Sequence, residues 1–375
     1  MRYKILGRTG VEVASVGVGC MGIGGALERS STSDRDHVRA LEMAIDCGMI
    51  FLDTAEVYGQ GHSEELVGQA LRGKRDNIFV ASKVSPEHLG YHDVIKAAEA
   101  SLRRLRIDRI DLYQVHWPNP RIPIQETMNA METLRSEEKI RFIGLSNFST
   151  KELNEAEASL VYDDVASIQV EYNLFDRSIE NSVLPRCEEK RITTIAYSPL
   201  DQGRIASSSM KLETLKSIAE KYQRSPAQIT LNWLIRHPSV VAIPKATNPK
   251  HIKENAQAAD FDLADEDFDE ICRVFTQESA NVPTDRICVV EGGQGNRQVY
   301  QTIQDALENK LGFIPSPADL ARSIRRGEML KPVRVVPTQD RSGRYDYDLL
   351  EGRIRYWAWV IAHEGRRPIP VCIRA

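Results

Sequence analysis

"IFLDTAEVYG", residues 50–59, begins as a buried strand and ends as something else. Ile50, Phe51 and Leu52 suit a sheet interior, but Asp53, a Thr-Ala pair, Glu56, Tyr58 and Gly59 follow at once. A lone carboxylate at such a place is ordinary, because strands often open into solvated loops. Its meaning depends on how the other strands end. Short β-rich runs are expected at 15–19, 49–52, 78–81, 111–115, 142–145, 166–170, 193–196 and 240–243. Between them lie helical patterns, among them 36–47, 92–105, 124–139 and 212–222, with apolar residues at i, i+3, i+4 spacing. Ser149 before "TKEL" and Ser225-Pro226 mark helix starts.

Apolar strands alternating with helices imply a parallel sheet covered by helices. Eight such units in about 260 residues fit a (β/α)8 TIM barrel better than an open doubly wound sheet. No Gly-x-Gly-x-x-Gly follows the first strand, which weakens a dinucleotide-fold reading further. Residues 3–6 and 11–13, joined through "GRTG", suit a hairpin plugging the barrel bottom. In this architecture chemistry sits at the C-terminal strand ends. Those ends carry Asp53, Lys83, His116, Ser146-Asn147, Gln169 with Tyr172, Tyr197-Ser198 and Lys245. Any one of these suits packing or a loop; so many on one rim do not.

Tyr58, Lys83, Asp53 and His116 together form a proton-delivery set. A phenol has a reference pKa near 10, and an adjacent ammonium pulls it down. Asp53 would keep Lys83 charged and oriented, while neutral His116 would donate to a carbonyl oxygen. No nucleophilic serine, paired carboxylates or metal-ligand spacing compete with this reading.

Net charge is −4, with 42% hydrophobic and 27% charged residues, so the whole chain lacks a nucleic-acid signature. From 322 onward basic residues outnumber acids. No run of about 18 apolar residues occurs, and the N-terminus has no apolar signal segment. The six cysteines are scattered without paired spacing. These features lead to the expectation of a reduced, cytoplasmic protein without membrane contact or metal. Assembly of identical subunits is left open.

"FLDTAEVYG", "VASKV", "LYQVHWP", "GLSNFS", "QVEYN", "AYSPL" and "IPKATNPKHIKEN" resemble, in order, the signatures of the aldo-keto reductase superfamily. The resemblance covers about residues 1–275. It implies that Tyr58 is the proton donor, with Asp53, Lys83 and His116 completing a tetrad. Ser146, Asn147 and Gln169 would bind a nicotinamide carboxamide, and Tyr197 would stack on its ring. Ser198, Leu200 and the segment carrying Lys245, His251, Glu254 and Asn255 would hold the pyrophosphate and adenosine. Lys245 stands where relatives carry a lysine for a 2′-phosphate, so NADPH is favoured over NADH. Many relatives have an arginine where this chain has His251; Lys250 and Lys253 lie nearby. Trp117 is expected to wall the pocket of a small carbonyl substrate.

The barrel should close with a helix at 264–275, leaving 276–287 as a linker and 288–375 as a second, smaller α+β domain. "EGGQGNR", 291–297, lacks the ending of a P-loop and suits a turn. "IPSPADLARSIRRGEMLKPVRVVP" and "YDYDLLEGRIRYWAWVIAHEGRRPIPVCI" resemble the ParB/sulfiredoxin superfamily. That resemblance implies an anion site at Gly352 and Arg355, where a helix starts. The cysteine and histidine of sulfiredoxins are replaced by Arg353 and Ile354. The helix-turn-helix of partition proteins is not seen, which argues against specific nucleic-acid binding. The first expectation is therefore NADPH-dependent reduction of an aldehyde or ketone, sugar-like substrates included. The alternative is a bifunctional or regulatory protein whose C-terminal domain binds a nucleotide or phosphorylated ligand.

Overall fold

The apolar runs become parallel strands. In a computed structural model, described at residues 1–201, 203, 210–276, 278–289, 300–326, 331–338 and 343–373, the chain opens with an antiparallel hairpin. It pairs β1 (Tyr3–Ile5) with β2 (Glu12–Ala14). Then come β3 (Val18–Gly19), β4 (Phe51–Asp53), β5 (Phe79–Val84), β6 (Ile110–Val115) and β7 (Ile140–Ser146). β8 (Val165–Glu171), β9 (Thr193–Tyr197) and β10 (Val240–Ala242) complete the series. Among the described residues these form one eight-stranded sheet in sequence order, every pair parallel. The sheet closes on itself. Val16 bridges Ala242, Gly17 N donates to the Ala242 carbonyl (2.8 Å), and Ala242 N donates to the Ser15 carbonyl (2.9 Å).

Each expected strand is present, with ends shifted by a few residues. The largest difference is at the first, where only Val18–Gly19 makes regular ladder bonds and 15–17 supplies the seam. The helices Asp34–Asp46, Tyr91–Leu105, Ile124–Ser136 and Met210–Lys221 fall on the periodic segments. Ser149 and Ser225 both form capping boxes, with Glu152 and Gln228. Such a cap satisfies amide groups that the first helical turn leaves unpaired.

Period-two alternation sorts the barrel interior into layers. Low in the barrel, Phe51, Phe79, Ala81, Leu112, Ile195 and Val241 pack with Leu6, Val13 and Ala14 of the hairpin. The hairpin therefore plugs the N-terminal end, as expected. Two residues further along several of the same strands the inward positions turn polar: Asp53 after Phe51, Lys83 after Ala81, Gln114 after Leu112. The barrel's fold places the site there.

Contacts divide the chain into two compact units, Met1–Pro118 with Ile122–Phe275, and Asn119–Arg121 with Thr276–Ala375. The closing helix of the first is Asp265–Val274. In the second, β11 (Glu278–Val282), β12 (Ile287–Cys288), β13 (Val333–Pro337), β14 (Tyr347–Glu351) and β15 (Ile369–Ile373) form a mixed sheet ordered β11-β15-β13-β14-β12. Helices Pro317–Arg325 and Arg353–His363 pack on it through Ala321, Ile324, Tyr356, Trp357 and Trp359.

The expectation of a linker at 276–287 is corrected here. Residues 278–282 are an edge strand paired antiparallel with β15, and 287–288 pairs with β14. "ESANV" carries little β-character of its own, and its partner lies about ninety residues away. Polar composition suits an edge strand as well as a linker, so local pattern could not separate the two. The glycine-rich 291–297 lies outside the described residues.

Candidate active site

Three strands and one tight loop assemble the four expected side chains. Asp53 ends β4, Lys83 lies near the end of β5, and His116 follows β6. Lys83 is fully buried, and its Nζ donates to Asp53 Oδ1 (2.5 Å), to the Thr54 carbonyl (2.9 Å) and to the Tyr58 hydroxyl (3.3 Å). The ammonium also lies 4.9 Å from the Tyr58 ring centre. Tyr58 and His116 meet edge to face, with ring centres 5.6 Å apart. The four expected side chains are brought together.

Tyr58 owes its place to a turn that only glycine-rich sequence can make. Gly59, Gln60 and Gly61 all have positive φ (54°, 55° and 87°). A Cβ on Gly59 would lie 2.4 Å from the Gly24 carbonyl oxygen, and one on Gly61 2.6 Å from the Arg104 guanidinium. His62, the first residue of the helix His62–Ala70, is buried, with its ring between Asp34 (2.9 Å) and Glu65 (2.7 Å). Behind β5, buried Glu64 accepts from Ser82 (2.5 Å) and from Arg104 Nε (2.6 Å), which fixes the strand next to Lys83.

The electrostatics correct one expectation. Burial raises the Tyr58 pKa above the usual phenol value, and the Lys83 charge offsets this only in part. Tyr58 is thus a phenol at neutral pH, with an acidity that depends on its neighbour. Burial works against the Lys83 charge, but Asp53 and Tyr58 outweigh it, and its pKa is raised. Burial, with Lys83 nearby, pushes His116 well below the usual imidazole range. Its Nδ1 is buried without a hydrogen-bond partner among the described residues. Burial pushes the Cys20 thiol up to about 12, so it stays protonated.

The expected cofactor residues fall into groups. Half-buried Asn147, at positive φ (63°), donates to the His116 carbonyl and to Ser146 Oγ (3.0 Å each), and accepts from the Tyr197 hydroxyl (2.9 Å). Ser146, Asn147 and Tyr197 therefore form one hydrogen-bonded patch beside His116. Gln169 is engaged more deeply than expected. Its Nε2 donates to Asp53 Oδ2 (2.8 Å), which leaves only the Oε1 end without a protein partner among the described residues. Ser198 and Leu200 follow β9 and are half-buried. Lys245 and His251 are exposed, whereas Glu254 pairs with Lys250 at 3.8 Å and Asn255 is buried on the inner face of the helix Pro249–Gln257. Trp117 is 43% exposed beside His116. Tyr172 does not join the site; its hydroxyl turns to Glu180 (2.7 Å) and His237 (3.1 Å).

Gln114 was missed. It lies in the quoted "LYQVHWP", is fully buried, and donates to Asp53 Oδ2 at 3.0 Å. The signal was available: an amide two residues before His116, at the inward position that follows apolar Leu112 on the same strand. In the second unit, Gly352 has φ 91° at the start of the helix Arg353–His363, as the resemblance implied. Arg355, however, donates through Nη1 to the Lys331 and Pro332 carbonyls (2.8 and 2.9 Å). The expected anion-binding arginine is thus turned onto its own backbone.

The Aldo/keto reductase family model matches residues 15–274, and the chain belongs to that family. The methylglyoxal reductase YeaE of Escherichia coli is 37% identical over 266 residues, 70% of this chain and 92% of the relative. A thermostable aldo-keto reductase, Tm1743, solved with the inhibitor epalrestat, has 40% identity and a TM-score of 0.71, covering 73% of this chain and 100% of its own. An aldo-keto reductase of Klebsiella pneumoniae, solved with NADP and acetate, has 36% identity and a TM-score of 0.68, covering 73% of this chain and 96% of its own. The family match ends before the second unit.

His116 generates a pH prediction. Its folded-state pKa is depressed below the ordinary imidazole value of 6.5, so below that pH the unfolded chain binds more protons than the folded one. Stability therefore falls as pH drops through 6.5, by at most about 1.4 kcal/mol per unit from this group. In His116→Asn the loss between about pH 6.5 and 5 should be shallower, measured by denaturant unfolding of the barrel. Parallel curves for the two proteins would contradict the neutral assignment.

Proposed function

We propose that Tyr58 donates the proton, and His116 orients the carbonyl, in the NADPH-dependent reduction of an aldehyde or ketone to an alcohol. The protein is an NADP-dependent oxidoreductase of aldo-keto reductase type. The observation that carries the residue assignment is the buried chain Asp53–Lys83–Tyr58, whose last member is a phenol beside a neutral imidazole. NADPH, when bound, supplies the hydride to the carbonyl carbon. The chain's own residues do the rest. Tyr58 gives its hydroxyl proton to the carbonyl oxygen as charge develops there. Lys83 stabilises the phenolate left behind, and Asp53 keeps the ammonium charged. His116 aligns the carbonyl with the phenol.

The residues fit the cofactor. Ser146, Asn147 and the Gln169 Oε1 offer donors and an acceptor for a carboxamide, and Tyr197 offers an aromatic face. Ser198, Leu200 and the Lys245–Asn255 segment are the proposed hold on the remainder. Lys245 is exposed and makes no ion pair among the described residues, which suits a 2′-phosphate ligand. The substrate is a small carbonyl compound, and methylglyoxal, the compound in the E. coli relative's name, is the first to assay. Among the described residues none of the six cysteines forms a disulfide, which supports a reducing, cytoplasmic setting. No helix among the described residues is long and apolar enough to cross a membrane.

We take 1–275 as the reductase domain and the remainder as a separate ParB/sulfiredoxin-like domain. Support comes from the succession of the helix Pro317–Arg325, β13, β14, Gly352 and the helix Arg353–His363, in the order that resemblance implies. In that unit Arg355 Nη1 is engaged by the Lys331 and Pro332 carbonyls.

Tyr58→Phe removes one hydroxyl. Turnover should fall by roughly 10²–10⁴, the scale of general-acid catalysis, with NADPH affinity nearly unchanged by fluorescence titration. Loss of affinity as large as the loss of rate would contradict the assignment. Lys245→Ala should weaken NADPH about ten- to hundredfold and leave NADH almost untouched, because one charge-assisted contact is lost. Equal weakening of both would place Lys245 away from the 2′-phosphate.

A further inference from the structure

One residue of the polar layer has no role in the proton chain, yet it touches two of the site's parts. Gln114 projects from β6 into the barrel, one inward step past Leu112 and one before His116. Its Nε2 donates to Asp53 Oδ2 (3.0 Å), and its Oε1 accepts from Gln169 Nε2 (3.3 Å). Gln169 Nε2 also reaches Asp53 Oδ2 (2.8 Å). Three alternate strands, β4, β6 and β8, thus meet at one carboxylate oxygen, while the other oxygen belongs to Lys83. Alternate strands contributing one interior layer is the general construction of such barrels.

We infer that Gln114 is a positioning residue that locks Asp53 and Gln169 in single orientations, and so links proton delivery at Tyr58 to recognition of the cofactor's carboxamide. The inference rests on the roles proposed above for Asp53, Lys83, Tyr58 and Gln169. An isolated amide flips easily, since its two ends have nearly the same shape. Here neither can. A flipped Gln114 would set its oxygen against the Asp53 carboxylate and its NH2 against that of Gln169. A flipped Gln169 would set its oxygen against both Asp53 Oδ2 and Gln114 Oε1. The carboxylate therefore polarises both amides in one direction, and Gln169 presents its oxygen. That makes Gln169 an acceptor, suited to the NH2 of a carboxamide. Packing alone does not require an amide at position 114, because Leu112, the neighbouring inward residue on the same strand, is apolar.

The test uses the full chain and Gln114→Met, which keeps length and removes both hydrogen bonds. With Gln169 held by Asp53 alone and Asp53 short of a donor, kcat should fall and the NADPH dissociation constant should rise, each by about tenfold. Binding of 2′-phospho-ADP-ribose, a probe without nicotinamide, should stay within about twofold of wild type on the same scale. Gln114→Met/Gln169→Met should be no worse than the worse single variant, since both act through one network. Wild-type kcat and NADPH affinity in Gln114→Met, or equal weakening of the probe, would overturn the inference while leaving the reductase assignment standing. Failure of the wild-type protein to bind NADPH would instead remove the underlying reading of the site. If Gln114→Met does not fold, Gln114→Glu decides: it keeps the acceptor for Gln169 but sets a second carboxylate against Asp53. Its turnover should recover as pH is lowered and one proton restores the missing bond, an ionisation absent from the wild-type profile. A profile parallel to wild type would overturn the inference.

Discussion

A single buried ion pair sets the terms for this site. Lys83 and Asp53 are both removed from solvent, and each would be costly alone; breaking such a pair by removing one partner commonly costs several kcal/mol. The pair exists because β4 and β5 are adjacent and in register, with Asp53 opposite Ala81, one inward step before Lys83. What surrounds it follows from its charges. Tyr58 is kept a phenol by burial but softened by the ammonium, and His116 is kept neutral by burial beside that same ammonium. Gln114 and Gln169 complete the carboxylate's shell. An eight-stranded barrel suits this arrangement, because it delivers inward side chains at fixed spacing onto one closed layer above an apolar plug.

Much of this was legible in the sequence because the barrel repeats one simple signal. Strand periodicity, strand ends and helix caps are local, and each was read from a few neighbouring residues: Asp53 after "IFL", Lys83 in "VASKV", Ser149 and Ser225 before their helices. The placement of Asp53, Tyr58, Lys83 and His116 at one end of the barrel was readable for the same reason. Gln114 escaped because a glutamine inside a motif draws no attention until its face is known, and its meaning lies in contacts with residues 61 and 55 positions away. The net direction of the Tyr58 shift also escaped, since motif spacing says nothing of burial. Lys83 does act as expected, but desolvation is the larger influence.

The second unit shows the opposite balance. The helix that starts after Gly352 was legible through the resemblance stated for that segment. The unit's first strand was not. Residues 278–282 gain their structure from β15 at the far end of the chain, and an edge position asks little of local composition. For the arginine assigned to an anion, nothing in "GRIRYW" reveals that two backbone carbonyls engage its Nη1. Long-range pairing and backbone acceptors are the features that a linear pattern does not carry.

The central claim is that the Lys83 charge lowers the pKa that burial raises at Tyr58. The most direct measurement is the pH dependence of kcat for wild type beside the paired variant Lys83→Met/Asp53→Asn, which removes both charges and leaves no lone buried ion. In wild type, turnover should fall on the alkaline side as Tyr58 loses its proton. Of the two charges the lowering effect of Lys83 is the larger, so their joint loss should move that limb to higher pH and lower the plateau. An alkaline limb at the same pH in both proteins would contradict the account.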